Sequence, residues 1–188
     1  MLLPLFWVKT IVFIVASAGI AWISRASLQH PRSHGFYRFF AWEFLIILFL
    51  LNIEYWFLDP FSLLHIISWI LLVLSLVFLI TGFYTLGTRG KQDENREGTA
   101  LIQFEKTTVL VETGIYHFIR HPMYSSLLFL GWGIFFKNPT WLAGILAAGA
   151  TAFLMVTAKI DEIEDIRFFG SAYHDYMKRT KMFIPFIL

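Results

Sequence analysis

"FSLLHIISWILLVLSLVFLITGFYTL", residues 61–86, is a run of 26 residues without one charged side chain. An α-helix needs about 20 mainly apolar residues to cross the hydrocarbon core of a bilayer. Charged residues make up only 15% of the 188-residue chain, whereas a typical soluble domain carries about 25%. The run therefore predicts a transmembrane helix, and the composition predicts a membrane protein around it.

Three further apolar runs approach the same length, at residues 2–23, 37–58 and 139–158. A fifth, at residues 122–136, has only 15 residues, so it either begins earlier or crosses incompletely. No basic residue precedes the first run, so we expect a retained helix rather than a cleaved signal peptide. The sequence thus predicts one all-α integral-membrane domain over residues 1–188. Its expected helices cover about residues 2–23, 37–58, 61–86, 115–136 and 139–166.

The charged residues predict an orientation. Five crossings place the first loop, the loop 87–114 with its strand-like "TTVLV", and the tail 159–188 on one side, and 13 of the 15 Lys and Arg residues lie there. Basic residues accumulate on the cytoplasmic side, so we expect the N-terminus outside and the C-terminus in the cytoplasm.

The net charge of +2 gives no argument for nucleic acid, and the absence of cysteine excludes disulfides and thiolate metal sites.

A charged segment, "GIYHFIRHPMYSS" at residues 114–126, interrupts the approach to the short fifth run. Pro122 suits the first turn of a helix, which would place Arg120 and His121 at its N-terminal end. Helix N-termini favour anions, a guanidinium binds carboxylates with two hydrogen bonds, and Tyr124 adds a hydroxyl. One interpretation is a cradle for an anionic ligand group. The other is that Arg120 only anchors the helix at the cytoplasmic surface.

Four acidic residues leave the last apolar run together: Asp161, Glu162, Glu164 and Asp165. If the helix continues, Asp161 and Asp165 share a face. Such acids are costly near lipid unless they meet cations, although a solvated helix end is the simpler interpretation. If they face Arg120, the two groups form a site of both signs, suited to a zwitterion such as an amino acid.

Other polar residues give weaker signals. His65, alone in its apolar run, is typical of a hydrogen-bonded core histidine. Glu43 is costlier in its position and is expected to pair with Arg38 or to line a substrate entrance. No His or acidic pattern has convincing metal-ligand spacing, so we expect no metal.

Two blocks of the sequence resemble a known family. "LVETGIYHFIRHPMY" (110–124), followed by "DEIEDIRFFGSAYHDYMKRT" (161–180) and a later proline, is similar to the isoprenylcysteine carboxyl methyltransferase and phospholipid methyltransferase family. Its members are integral-membrane enzymes with an "LV..G.Y...RHP.Y" block, an acidic pair and "FG..Y..Y". The resemblance covers roughly residues 108 to 185.

The resemblance implies S-adenosylmethionine as methyl donor, bound by the cytoplasmic loop and helical tail over about residues 103–185. Arg120 and Glu162 would be the catalytic residues, Arg120 fixing the charged end of the donor and orienting Glu162. Methyl transfer would go to a lipophilic acceptor, a small molecule or a membrane lipid. The cofactor-binding residues that the resemblance implies are Gln103, Thr108, Val109, Leu110, Val111, Tyr116, His121, Pro122, Met123, Tyr124, Asp161 and Glu162.

The sequence departs from the family pattern at three positions. Ser126 replaces a Gly, and Asp161 replaces a Glu. Prenylcysteine-specific members carry an Arg four residues before that acid, where this chain has Thr157. Lys159 lies about 200° further around the helix and should point elsewhere. With Glu43 and Thr157 as the substrate-side candidates, we expect a neutral or amine-bearing acceptor, such as a phospholipid headgroup amine or a phenolic lipid.

Two other classes of protein fit the same hydropathy pattern. A membrane reductase that uses a nicotinamide cofactor would also combine several helices with a charged cytoplasmic pocket. A non-enzymatic membrane scaffold would need no cofactor.

Overall fold

A computed structural model describes residues 2–91 and 107–187, with side chains from Leu5 onward. Within these residues the chain is helical, and a parallel bridge pairs Ile119 with Lys181. Short 3-10 helices follow at Ile53–Tyr55 and Gly114–His117. The α-helices are α1 (Leu2–Ile23), α2 (Arg25–Leu28), α3 (His34–Asn52), α4 (Leu63–Arg89), α5 (Pro122–Phe135), α6 (Trp141–Phe169) and α7 (Ser171–Arg179).

Four helices are long and apolar enough to cross a membrane: α1, α3, α4 and α6. The fifth apolar helix, α5, has only 14 residues, or about 21 Å at 1.5 Å per residue. A hydrocarbon core is about 30 Å thick, so α5 alone does not cover it. The all-α membrane fold predicted from the sequence is confirmed, with four helices of spanning length and α5 as a shorter apolar helix.

The helices pack as two pairs, α3 with α6 and α4 with α5, and α5 connects the two pairs. The contacts between α3 and α6 and between α4 and α5 are the most extensive, and α5 also packs on α6, whereas α1 packs mainly on α3. One core cluster fills the end of the bundle where α3 begins, and it consists of Ala41, Tyr124, Leu154, Ala158 and Phe183. A second fills the opposite end, and it consists of Leu48, Ile134, Ala143, Leu146 and Ala147. We call the first of these the site end.

The predicted boundaries are correct for α1 and close for α4 and α6. The second helix begins three residues before its predicted start at 37, because Ser33 caps it and accepts a hydrogen bond from the Phe36 N–H group. The expected helix over 115–136 is wrong in its first turns, because α5 begins at Pro122. The strand-like segment 107–111 does not form a strand, since Thr107 takes part in a β-bridge and residues 108–111 are irregular.

The residues before Pro122 cannot form an α-helix continuous with α5 for two reasons. Gly114 has φ 62°, and a Cβ atom there would lie 2.9 Å from the Thr85 hydroxyl of α4, so only glycine fits this turn. The backbone N–H groups of Arg120 and His121 donate to carbonyls of the C-terminal tail instead of to an earlier helical turn. Contacts with α4 on one side and with the tail on the other therefore keep this segment out of the α-helical conformation.

Candidate functional site

The C-terminal tail runs alongside the residues that precede α5. The Arg120 N–H donates to the Lys181 carbonyl at 2.8 Å, and the Lys181 N–H donates to the Phe118 carbonyl at 3.0 Å. Ser125 on α5 continues the contact, because its hydroxyl donates to the Phe183 carbonyl at 2.7 Å. Phe183 is fully buried in the site-end core. These bonds fix Arg120 and His121 between the tail and the start of α5.

Arg120 points into the protein. Its Nε donates to Glu162 Oε1 at 2.6 Å, and both side chains are 9% exposed. Its Nη1 donates to the Thr180 carbonyl at 2.5 Å and to the Met177 carbonyl at 3.3 Å. A residue that only anchored the helix at the membrane surface would extend into water, so the structure favours the cradle interpretation over the anchor.

His121 lies between the two acids at the end of the α6 crossing. Its Nδ1 is 3.5 Å from Asp161 Oδ2, and its Nε2 is 3.5 Å from Glu162 Oε1. Its ring stacks on Tyr124 with 5.4 Å between the centroids. Burial lowers the pKa of His121, but the interactions with Asp161 and then with Glu162 outweigh it, so the pKa is raised above 6.5. The acidic residues of α6 and the basic residues before α5 thus lie together, as the sequence predicts.

The acidic turn of α6 also contacts the start of α3. His34 is fully buried, and its Nδ1 is 2.7 Å from Glu164 Oε2 and 3.7 Å from Asp161 Oδ1. The backbone N–H of His34 donates to Glu164 Oε1 at 3.1 Å. Asp161 and Glu164, three residues apart on the continuous helix α6, therefore face α3.

Several predicted cofactor residues lie beside this cluster rather than in it. Thr108 is exposed, and its hydroxyl donates to the Lys91 carbonyl at the end of α4. Val109 is 41% exposed, Leu110 is half-buried, and Val111 is buried. Gln103 lies outside the described residues. The segment 108–111 thus borders the end of α4, and its part in a binding site stays a prediction.

Three further predicted residues have structural contacts. The carbonyl of buried Tyr116 accepts a hydrogen bond from the Tyr176 hydroxyl at 2.7 Å. Pro122 and Met123 pack against α4 at Gly82, where a Cβ atom would lie 3.3 Å from Met123 Cγ. Both belong to the interface between α4 and α5.

The two substrate-side candidates fall in different places. Thr157 is fully buried one turn before Asp161, and its hydroxyl donates to the Phe153 carbonyl. Glu43 accepts a hydrogen bond from the Ser17 hydroxyl of α1 at 2.6 Å. Glu43 and Arg38 lie five residues apart on α3, about 140° around the helix, so the partner shown for Glu43 is Ser17, and its part in a substrate entrance stays a prediction.

Sequence reasoning missed the partners that hold the cluster. His34 comes from the start of α3, and Thr180 and Met177 come from the end of the tail helix. The spacing of His34, Arg38 and Ala41 (i, i+4, i+7) puts all three on one buried face of α3. That polar and apolar stripe was the signal that could have predicted His34 at the interface with α6.

The arrangement suits a ligand with separated charges. Both contacts of Glu162 use Oε1, so Oε2 keeps its capacity to accept from an ammonium group. The Nε2 atom of His121 is buried, and no group of the described residues lies within hydrogen-bonding geometry of it. A neighbouring cleft is lined by Glu112, His117, Tyr176, Arg179 and Thr180, with Arg179 Nη2 bonded to Glu112 Oε1 at 2.8 Å.

Comparison with known proteins gives three informative relatives. Methanethiol S-methyltransferase of Pseudomonas deceptionensis is 27% identical over 116 residues, which are 61% of this chain and 41% of that protein. Protein-S-isoprenylcysteine O-methyltransferase of Mus musculus is 35% identical over 92 residues, 46% of this chain and 32% of that protein. The enzyme of the same name from Dictyostelium discoideum is 35% identical over 98 residues, 46% and 38% of the two chains.

The chain therefore spans less than half the length of these relatives. No solved structure shows a significant match. The family described as phospholipid methyltransferase matches residues 63–165, from the start of α4 to the acidic turn of α6. This match covers more than half of the chain and includes Arg120, His121, Asp161 and Glu162. The chain belongs to the phospholipid methyltransferase family.

Proposed function

We propose that this protein transfers the methyl group of S-adenosylmethionine to a lipophilic acceptor at the site end of the membrane domain. The observation that carries the proposal is the buried cluster of Arg120, His121, Asp161 and Glu162. It places two acids and two basic side chains within reach of one ligand. Membership in a methyltransferase family supports this reading over a nicotinamide-dependent reductase or a scaffold.

The residues fit the amino-acid end of the donor. Glu162 Oε2 and Asp161 would accept from its ammonium group, and His121 Nε2 would donate to its carboxylate. Arg120 would hold Glu162 in place through the 2.6 Å hydrogen bond. When bound, the donor supplies an activated methyl group on a sulfonium. The chain's own contribution is then to orient the donor and exclude water, since positioning alone can supply a large part of a rate acceleration.

The depth of the cluster suits a lipophilic acceptor. Asp161 follows Trp141 by 20 residues in one unbroken helix, or about 30 Å, which is the thickness of the hydrocarbon core. The acids therefore lie where a spanning α6 leaves the lipid. An acceptor dissolved in the membrane could reach them without entering water, and the positive-inside rule assigns this end to the cytoplasm.

The acceptor class follows from the face of α6 one turn before Asp161. Thr157 is buried there, Lys159 is exposed, and the charge of Arg38 acts on Asp161. On the buried face of α6 that carries Thr157 and Asp161, the described residues thus offer no cation for a substrate carboxylate, and an unpaired anion in a dry pocket is costly. We propose a neutral or amine-bearing acceptor. The relatives' names specify transfer to sulfur in one case and to oxygen in another, so the family leaves the acceptor atom open.

Two measurements test the proposal. Thermal unfolding in detergent should shift upward with S-adenosylhomocysteine and not with NADPH, because a ligand stabilises the state that binds it. A shift with NADPH alone would support the reductase, and no shift with either would support the scaffold. Transfer of a radiolabelled methyl group should then favour extracted membrane lipids over a farnesylcysteine analogue. Efficient labelling of the analogue alone would contradict the proposed acceptor class.

A further inference from the structure

His34 joins the start of α3 to the acidic turn of α6. Two donors of this one residue, Nδ1 at 2.7 Å and the backbone N–H at 3.1 Å, bind the two oxygens of Glu164. The Nδ1 atom is also 3.7 Å from Asp161 Oδ1. The imidazole is 1% exposed, so these interactions are shielded from water. His34 lies outside the region that the family matches, which begins at residue 63.

Asp161 connects His34 to the rest of the cluster. Its Oδ1 faces His34, and its Oδ2 faces His121 at 3.5 Å. His121 in turn lies 3.5 Å from Glu162 Oε1, which accepts from Arg120. A continuous row of alternating charges thus runs from the N-terminus of α3 to the C-terminal tail. Fixing one end of the row restricts the rotamers of the acids between.

We infer that His34 is a positioning residue that holds Asp161 in the orientation needed to bind the charged end of the methyl donor. The inference rests on the proposed function and extends it to a residue of the first loop and α3. At metal sites, loss of an outer partner that orients a ligating side chain commonly costs about tenfold to a hundredfold in affinity, and we expect an effect at the lower end of that range here. His34 would act through Asp161 without touching the donor.

A metal ion is a competing explanation of the same residues. One atom each from His34, Asp161 and Glu164 lie within 4.8 Å of one another. However, His34 Nδ1 already bonds to Glu164, and the charges of His121 and Arg38 act on Asp161. Neighbouring cations oppose binding of another cation, so the positioning role explains the arrangement better.

A second competitor is a purely structural role for His34 as a link between α3 and α6. His34→Ala and His34→Asn separate the two roles, because the Asn amide can replace the Nδ1 donor. His30→Ala is the matched control, since His30 is an exposed histidine of the same loop. We expect S-adenosylhomocysteine to bind His34→Ala about tenfold more weakly than wild type, and His34→Asn within about threefold of wild type. The unfolding temperature of each unliganded variant shows whether folding changed.

A double-mutant cycle with Asp161→Asn tests whether His34 acts through Asp161. In the double variant the affinity loss should equal that of Asp161→Asn alone. Multiplied losses, an unchanged affinity in His34→Ala, or a lowered unfolding temperature that Asn fails to restore would each overturn the inference. If the wild type binds no S-adenosylhomocysteine, the proposed function fails and the inference with it. Binding by the wild type with no effect of His34 overturns the inference alone.

Discussion

Glu162 is the residue on which the charges of the site converge. It lies at the site end of α6, it is 7% exposed, and its Oε1 contacts both Arg120 and His121. An acid at this depth is stable only because cations meet it. Removing the charge while keeping the shape should therefore affect ligand binding more than folding.

We predict that Glu162→Gln weakens S-adenosylhomocysteine binding about ten- to hundredfold, because a charge-assisted hydrogen bond is worth about 1.5–3 kcal/mol. The Gln carbonyl can still accept from Arg120 Nε, so the variant should remain folded. Calorimetry in detergent measures the affinity. Asp175→Asn is the control, because Asp175 pairs with Lys178 on the exposed surface of α7. An equal loss in both variants would contradict a specific role for Glu162.

His121 gives a pH-dependent prediction at the same scale. Its pKa is raised above 6.5 in the folded protein. A raised pKa means that the charged form stabilises the fold below about pH 6.5, and that this contribution is lost as pH rises through the folded pKa. We predict that His121→Gln unfolds about 2–4 °C below wild type at acidic pH, and that the difference shrinks as pH rises. His174→Gln, at an exposed histidine, should show no such trend. A difference that grows with pH would reverse the sign and contradict the assignment.

Among the structural elements, the tail after α7 covers one side of the site and is bonded to the segment before α5. Its residues bond by backbone atoms to the segment before α5, so their amide groups matter more than their side chains. Lys181 is an example: its side chain is exposed, but its backbone N–H donates to the Phe118 carbonyl. Thr180 before it is extended, with φ −121° and ψ 157°, a conformation that a following proline tolerates.

We predict that Lys181→Pro destabilises the protein by about 1–3 kcal/mol and weakens donor binding, because it leaves the Phe118 carbonyl without its donor. Lys181→Ala keeps the N–H and should stay within about 0.5 kcal/mol of wild type. Thermal unfolding and S-adenosylhomocysteine titration of the pair measure both effects. An equal loss of stability in the two variants would show that the side chain makes the contact, and no loss in either would show that the Lys181 N–H bond does not contribute.

The same elements show what a sequence can and cannot predict. The long helices follow from local composition, because about 20 apolar residues suffice to define each crossing. The true start of α5 depends on carbonyls about 60 residues later in the chain, which accept from Arg120 and His121. His34 likewise meets Glu164 across 130 residues. Local patterns contain no information about such partners, so the family motif could suggest Arg120 and Glu162 together but could not supply His34.

At the scale of the whole molecule, the ends of the bundle differ in charge. Of the 13 basic residues that the structure describes, 11 lie at the site end, and Lys9 and Lys137 lie at the other. Lys9 is paired with Glu54. Lys137 is 3% exposed with its Nζ 3.3 Å from the centroid of the Trp69 ring, and burial lowers its pKa. Neither lysine therefore presents a free positive charge at the end opposite the site, and this increases the charge asymmetry between the two ends on which orientation depends.

We predict that the site end faces the cytoplasm. The chain contains no cysteine, so single cysteines can be introduced at Gln29 and Ser171, which are exposed at the site end, and at Asn138 in the opposite loop. In right-side-out vesicles an impermeant thiol reagent should label the Asn138 variant and spare the other two. All three should react after the membrane is permeabilised, which shows that each thiol is accessible.

Labelling of Gln29 and Ser171 but not Asn138 would invert the orientation. Labelling of Ser171 and Asn138 from the same side would show that α6 does not cross the membrane, and the acids at its end would then lie away from the lipid boundary that the proposed acceptor requires.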